Sequence, residues 1–487
     1  MTEELRALLI DLVGSQACDW YLSPSHRHPP VTFRVNTLKT PEHEALSLLA
    51  EEGFAVRSLD SVPGSYCVEE QRFALGKSLS HAIGTIYIQD ESSMLPPLVL
   101  DLEEGQRVLD VAAAPGSKTT EIAALLRNTG WIVANEPSSR RAAFLGYNLG
   151  RSGVINAAVT QCGGSQLGRL FPECFDRVLV DPPCSGLGTI QRSPEVLTWW
   201  TYRRSCKLAR IQRDLIVSGI KALKEGGILV YSTCTLVPEE NEEVVAEVVA
   251  RYPVELQPVR PASITTRPGL IRFRDRIFSP SMALCARIYP HESTGEGFFI
   301  ARLRKIGGMG LASAGRTETR HDDVVCEASH PRVRNELHHL SRHFGIPEDF
   351  WTEFLFLPGR RAIRMLSRES SPPLRGPFVQ QGLTVLRTRG PHPAFTTWGA
   401  QSVGRRATRN VIDLATYDEL RRYLSRKFIE GAQGEGQQIV RYKGHPVGHG
   451  IARNGRLLSR AKGRQEMAAF YTEGQERDYL AGRTGEG

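Results

Sequence analysis

Two cysteines stand where apolar runs give out. In VLVDPPCSG (178–186) the run meets Asp181 and delivers Cys184, and in LVYSTCTL (229–236) it meets Ser232 and Thr233 and delivers Cys234. One such cysteine is more often a small buried hydrophobe than a catalyst. Two, each behind a polar or proline-rich turn, point to thiol chemistry. Carbon 5 of a cytosine is a poor nucleophile towards a methyl sulfonium. A thiolate added at carbon 6 makes the ring an enamine and pushes electron density onto carbon 5, which splits one hard step into easier ones. A free thiol of pKa about 8.5 is only about 3% ionised at pH 7, so ionisation alone contributes at most about 2 kcal/mol. The rest falls to orientation and to an acid on the pyrimidine N3, for which Asp181 is placed. A base must then take the carbon 5 proton so that the enzyme thiol can leave, a release that Cys184 is placed to assist. Spacing alone leaves open which cysteine begins.

For both cysteines to face one pocket, their strands must share a sheet. QRVLDVAAA (106–114), WIVANEP (131–137), VINAAVTQC (154–162), FDRVLVDPP (175–183) and GGILVYSTC (226–234) read as buried strands. Helical patterns separate them at 118–128, 138–153 and 206–224, the last with one face at Leu208, Ile211, Leu215, Gly219 and Ala222. PEENEEVVAEVVARY (238–252) opens on proline and acids, as helices do. This alternation predicts an α/β fold with a mostly parallel, doubly wound sheet, closed by GFFIARLRK (297–305). Ligands of such sheets bind beyond the carboxyl ends of the strands, where both cysteines fall.

LDVAAAPGSKTTE (109–121) follows the first of these strands. Ala112, Ala113, Ala114 and Gly116 allow close backbone approach, Pro115 stiffens the turn, and Ser117 and Lys118 open a helix whose free N–H groups attract an anion. The turn is neither a P-loop nor a dinucleotide fingerprint. Glu136 ends the second strand, where an acid accepts hydrogen bonds from ribose hydroxyls. A ribose acceptor without a dinucleotide turn suggests a nucleoside with an amino-acid tail, which describes S-adenosyl-L-methionine. The plainer alternatives are a packing turn, a surface acid and a polar Asn135.

The bulk properties are permissive. The 487 residues are 41% hydrophobic and 23% charged, enough for two to four domains with ordinary cores. Lys plus Arg exceed Asp plus Glu by 61 to 53, a mild surplus that neither demands nor excludes a polyanion. The nine cysteines include no C-x-x-C pair, so no metal site is expected. The first residues lack a signal-peptide pattern, and no apolar run nears the roughly 20 residues that span a bilayer. A reducing, cytoplasmic setting away from membranes follows.

The expected organisation is an N-terminal RNA-binding and lead-in domain over 1–92, a catalytic core over 93–305, a linker over 306–330, an intermediate domain over 331–400, a basic domain over 401–465 and a tail over 466–487. The segment 441–464 carries seven Lys or Arg and no acid on strand-and-turn patterns, a footprint suited to nucleic acid. VTFRVNTLK (31–39) reads as a sheet edge or an RNA-facing strand.

Together, DVAAAPGSKT (110–119), ANEPSSRR (134–141), VDPPCSG (180–186) and YSTCT (231–235) resemble the Nop/Sun-type RNA cytosine-5 methyltransferases. RVNTLK (34–39), YIQDESSMLPPLVL (87–100) and GFFIARLRK are similar to that family's N-terminal arm, lead-in helix and closing strand. GHPVGHGIARNGRL (444–457) resembles the PUA-like end of its bacterial 16S rRNA members, the RsmF type. The resemblance implies a Rossmann-like class I methyltransferase core, S-adenosyl-L-methionine as cofactor and rRNA of the small ribosomal subunit as partner. It further implies that Cys234 attacks, that Cys184 promotes release, that the cofactor turn is Ala112 to Lys118 with Glu136 on the ribose, and that Asp181 lies between cofactor and base. Two positions depart from the pattern. Gly163 stands where the family commonly has an aspartate on the adenosine, and Gln191 stands where arginine is frequent. The competing readings are a tRNA or other rRNA cytosine-5 methyltransferase, an amino-group methyltransferase, disfavoured because Cys184 takes its aromatic position, and an RNA-binding assembly factor that has lost its cofactor.

Overall fold

The structure, a computed structural model, describes residues 3–23, 29–71, 73–261, 263–309, 324–369, 376–389 and 392–461. Its centre is a mixed sheet. The strands β1 (Arg107–Asp110), β2 (Trp131–Asn135), β3 (Ala157–Thr160), β4 (Phe175–Val180) and β5 (Leu223–Thr233) pair in parallel in the order β3-β2-β1-β4-β5. Most of their residues are buried, which is why they read as apolar runs rather than alternating ones. The antiparallel β6 (Phe298–Lys305) extends the sheet beyond β5. The chain runs outward through β1, β2 and β3 and then returns to the other side of β1. The sheet's crevice therefore lies between the ends of β1 and β4, beside the loops that carry Lys118 and Asp181.

The helices are α1 (Ser117–Leu125), α2 (Ser139–Arg151), α3 (Tyr202–Ala222) and α4 (Glu242–Arg251). Ser138 caps α2, its side chain accepting from the Arg141 N–H. Two readings need correction. The inward face of α3 keeps Leu215, Gly219 and Ala222 as predicted, but Ile211 is exposed and its neighbour Gln212 is fully buried, where it hydrogen-bonds the loop before Cys184. The acids of PEENEE do not all begin a helix. Residues 238–241 form a turn whose Glu240 and Asn241 are buried, and α4 starts at Glu242.

The RVNTLK segment also differs from expectation. Thr32–Val35 is not a sheet edge but an inner strand of an antiparallel sheet, flanked by Ser65–Glu70 and Ile86–Ile88, with all four residues buried. Arg34 passes its guanidinium to Ser117 O at 3.0 Å and Thr120 Oγ1 at 2.5 Å, which clamps this sheet to the start of α1. Charge and amide capacity are spent on docking. Helices Glu3–Val13 and Ser15–Leu22 bury Leu5, Leu9 and Tyr21 against Leu187, Trp200 and Leu236, and so support the stretches that follow both cysteines.

Position 92 falls inside helix Glu91–Val99, and position 305 closes β6. Of the 306–330 linker, 310–323 lie outside the described residues, and Cys326–Glu327 already pairs with Phe354–Pro358. The 331–400 segment is not separate from the core. Its strand β7 (Phe378–Gln381) pairs antiparallel with β3 and completes the catalytic sheet, with Phe378 stacked on Phe171. Position 400 falls inside helix Thr397–Val403. The last sheet comprises Val411–Leu414, Phe428–Glu430, Gly436–Tyr442, His445–Arg453 and Arg456–Ser459. Its basic surface is partly neutralised. Arg441 pairs with Asp413 at 2.8 Å, Arg456 with Glu430 at 3.1 Å and Lys443 with Glu51, so these cations serve tertiary contacts. The 466–487 tail lies outside the described residues.

Candidate active site

The two cysteines meet. Cys184 Sγ and Cys234 Sγ are 3.2 Å apart, in hydrogen-bonding contact, and neither is in a disulfide. The geometry comes from parallel neighbours β4 and β5, whose carboxyl ends place Asp181–Ser185 and Ser232–Thr235 side by side. Ser232 Oγ donates to Asp181 Oδ1 at 2.9 Å, and Ser185 Oγ meets Thr235 Oγ1 at 2.8 Å. Lys118 Nζ reaches from α1 to Asp181 Oδ2 at 2.7 Å and to Ser93 Oγ at 2.9 Å. Burial works against the charge on Lys118, yet the adjoining Asp181 holds its pKa above the ordinary amine value. Both Asp181 oxygens are thus engaged by donors.

The Cys234 thiol is pushed well above its ordinary pKa, first by its hydrogen bond with Cys184, then by desolvation and by the negative groups around it, Cys184, Asp181 and Glu296. The resting Cys234 is therefore a neutral thiol.

Behind the thiols lies a polar framework that sequence reading missed. Gln212 Nε2 donates to Pro183 O at 3.0 Å and to Glu240 Oε2 at 2.8 Å. The same carboxylate oxygen accepts the Ser185 N–H at 2.9 Å, and Tyr231 donates its hydroxyl to Glu240 O. Thr233 donates to Asn241 Oδ1 at 2.6 Å, and Asn241 Nδ2 donates to Thr235 O at 2.9 Å. Buried polar groups paired in this way rigidify what they hold, although Glu240 Oε1 has no hydrogen-bond partner among the described residues. The available signal was a run of polar residues after an apolar strand, which looks the same whether the run is solvated or buried. Gln212→Ala leaves the buried Glu240 short of a donor and frees Pro183. A stability loss of about 1–3 kcal/mol is expected, with a fall in methyl-transfer rate at unchanged cofactor affinity. Thermal unfolding and calorimetry check both, and a variant as stable and as fast as the parent would deny Gln212 this role.

The remaining predicted residues surround the ends of β1 and β2. Ala112, Ala113, Ala114, Pro115, Gly116 and Ser117 form the turn between β1 and α1. Gly116 has φ 106°, a left-handed conformation that favours glycine. Arg141 Nη2 and Asn148 Nδ2 hold the carbonyls of Ala114 and Pro115, each at 2.8 Å. Glu136 is buried, accepts the Ser138 N–H at 2.9 Å and pairs with the half-exposed Arg141 at 3.2 Å. Asn135 is structural, donating to Val111 O and accepting from Thr160 Oγ1. Gly163 is exposed beyond β3, and a Cβ there would meet only Gln166 at 3.8 Å, so the place has room but no side-chain acceptor. Among the described residues, no group of His, Cys, Asp or Glu is arranged to hold a metal ion, and no helix is long and apolar enough to cross a membrane.

The model of a family described as "16S rRNA methyltransferase RsmB/F" matches residues 97–304. A ribosomal RNA small subunit methyltransferase F from Vibrio atlanticus is 33% identical over 445 residues, covering 86% of this chain and 87% of the relative. The chain belongs to the RsmB/F methyltransferase family. A counterpart of the same name from Cronobacter sakazakii is 40% identical over 298 residues, 60% of each chain. A methyltransferase homolog from Pyrococcus horikoshii superposes with a TM-score of 0.56 at 34% identity, covering 63% of this chain and 96% of that one. NSun6 from the same organism, solved with the ligand SFG, gives 0.55 at 26% identity over 63% and 98%. This RsmB/F member has the Rossmann-like methyltransferase core of its Nop/Sun-type relatives, and S-adenosyl-L-methionine is its cofactor. Its residues fit that group. The small Ala112–Ala114 turn leaves space for it, the α1 amino end suits a carboxylate, and the buried Glu136 carboxylate offers acceptor capacity for ribose hydroxyls.

Proposed function

We propose that this RsmB/F methyltransferase modifies carbon 5 of a cytosine in rRNA of the small ribosomal subunit, in the cytoplasm, through a temporary bond from Cys234 Sγ to carbon 6. The 3.2 Å approach of the two thiols beside Asp181 carries this reading, because one base can then meet both sulfurs. The substrate class rests on the names of the relatives, which are small-subunit rRNA methyltransferases.

The bound cofactor supplies an electrophilic methyl group. Its holders are the Ala112–Lys118 turn, Glu136 and the rim at Gly163 and Asp181. The protein does the rest. The target base is unstacked into the crevice, since carbon 6 must be reached from above the ring plane. Cys234 adds as thiolate, Asp181 accepts a hydrogen bond from the pyrimidine edge, and the Gln212–Glu240 framework keeps Cys184 on the same ring. Cys184 then assists loss of the carbon 5 proton, so that Cys234 departs with the electron pair of the carbon–sulfur bond. An amino-group methyltransferase would stack the base on an aromatic side chain at position 184, where this chain has a thiol.

Cys184→Ala is expected to accumulate a covalent protein–RNA adduct, seen as a band of lower mobility on a denaturing gel. Digestion and mass spectrometry of RNA methylated by the parent enzyme should locate the methyl on carbon 5. Methyl on a ring or exocyclic nitrogen would end the proposal, and absence of the adduct would remove Cys184 from the release step.

A further inference from the structure

A cavity of about 710 Å³ opens where the N-terminal sheet, α2 and the C-terminal modules meet, and the chemistry at the two thiols makes no use of it. Its volume is in the range of small-ligand sites. Pro115 and Ser117 bring the cofactor turn to its wall. So does Ser93, whose Oγ takes the same Lys118 ammonium that reaches Asp181. Neither thiol lines it, so it is a neighbour of the catalytic crevice and not a part of it.

One wall is a stripe of α2. Phe144, Tyr147, Asn148 and Arg151 follow at helical spacing and line the cavity, while Ala142, Leu145 and Leu149 are buried. Phe144 is 50% exposed, a large ring left uncovered on a helix whose leucines are not. Trp398 of the C-terminal modules lines the cavity too and meets Tyr147 edge to face, with ring centres 5.2 Å apart. A Cβ on Gly150 would come within 2.7 Å of the Trp398 ring, so glycine is what lets this indole seat on α2.

The charges are unevenly matched. Three cations, Lys77, Arg151 and Arg192, line the cavity against two acids, Asp90 and Glu296. Arg192 is committed to both acids, 3.2 Å from Asp90 Oδ2 and 3.1 Å from Glu296 Oε1. Arg151 lies over the Tyr87 ring at 5.2 Å and donates to His81 O at 2.5 Å. His81 is neutral, its pKa lowered to about 3 by burial and then by Arg151. Lys77 differs from the other two cations. It is only 7% exposed, and among the described residues its ammonium has neither an acid nor a hydrogen-bond acceptor. A cation so buried and unpaired costs stability, which an anion in the cavity would offset.

Resting on the rRNA-substrate reading, though not on which atom of the target base is methylated, we propose that this cavity is a second nucleotide site. It takes one unpaired nucleotide of the RNA substrate other than the target, with the base on the exposed face of Phe144 and a backbone phosphate at Lys77. Every base has a face to stack, and an unpaired base is free to present it. An acidic peptide would satisfy Lys77 and leave Phe144 without a planar partner. Because the walls come from three parts of the chain, the site is complete only with the C-terminal modules seated on the core. That gives those modules a part in recognition beyond their basic surface.

The test uses the full chain with small ribosomal subunits and with the rRNA extracted from them. Ultraviolet crosslinking, nuclease and trypsin digestion and mass spectrometry should find a nucleotide on the peptide 142–151, which carries Phe144 and Tyr147. Phe144→Ala should raise the Kd for the RNA about 10-fold, the loss of one base stack, without altering its salt dependence. Phe144→Tyr should restore the affinity. Lys77→Met should also weaken binding and should lower the slope of log Kd against log salt by about 0.7, one phosphate contact on a single strand. Both weakening variants should raise KM for the RNA far more than they lower kcat. Calorimetry with S-adenosyl-L-methionine at the parent affinity shows that they are folded. A Kd within twofold of the parent in both, or an unchanged salt slope in Lys77→Met, overturns the assignment. Crosslinks from the peptide 142–151 to a ribosomal protein in place of RNA would give the cavity to a protein partner and overturn it as well. A parent that binds neither the subunits nor their rRNA would instead sink the rRNA reading, and this proposal with it.

Discussion

Cys234→Ala is expected to lower methyl transfer by about 10⁴-fold or more, the scale on which loss of an attacking group removes a covalent route. The neutral thiol of the resting site makes this test demanding. A sulfur held neutral by Cys184, by desolvation and by nearby acids resembles a packing residue, and packing would predict only a modest loss with either serine or alanine. Covalent attack predicts that both replacements fail. It also predicts that the adduct trapped by Cys184→Ala disappears when Cys234→Ala is added, because the bond it reports is then never made. Calorimetry with S-adenosyl-L-methionine should show unchanged affinity, since Cys234 is on the β5 rim and the cofactor turn is between β1 and α1. Turnover at the parent rate would exclude Cys234 as nucleophile. An adduct that persists in the double variant would assign the bond to another residue.

The second large effect concerns stability. Arg287 and Glu242 are both fully buried and joined by two hydrogen bonds, Nε to Oε1 at 2.6 Å and Nη2 to Oε2 at 2.5 Å. Arg287 also donates to Leu236 O at 3.0 Å, two residues beyond Cys234. Burial opposes the arginine charge, but Glu242 more than offsets it and the pKa is raised. Removing one partner strands a buried charge, so Arg287→Leu should cost about 3–5 kcal/mol. That corresponds to a fall of roughly 10 °C in the unfolding midpoint of the core. Replacing both partners with leucine should recover most of the loss, because no charge is left alone. Leu236 O then lacks its donor, which costs about 1 kcal/mol. Thermal scans of the parent, both single variants and the double variant give the coupling directly. A single variant within about 1 kcal/mol of the parent would show that the pair is dispensable.

The catalytic half of this molecule was legible because its signals are local. Each parallel strand is an apolar run closed by its own turn, and the turns at 112–118, 181–184 and 232–234 carry their chemistry within a few residues. The Rossmann-like core and the meeting of Cys184 with Cys234 across neighbouring strand ends follow from that. The errors were of another kind. Ile211 was placed inward and Gln212 went unremarked because hydrophobic periodicity cannot register a buried amide. The segment 31–39 was read as a sheet edge or an RNA-facing strand because a docking arginine such as Arg34 and a phosphate-binding one look alike in sequence. The basic C-terminal run was counted without Asp413, Glu430 and Glu51, which neutralise part of it from distant positions.

By itself, then, the amino-acid order determined which strand ends bear thiols, which turn is small enough to suit a cofactor and which family the chain resembles. Each is a property of a short window, set by side-chain size, polarity and backbone freedom. Tertiary structure alone decided which polar groups find one another. Gln212 reaches back 29 residues to Pro183, Arg287 reaches 45 to Glu242, and Arg192 reaches 102 to Asp90. A buried charge is tolerated only beside its partner, and that partner is chosen by the packing of whole elements, which no local pattern encodes.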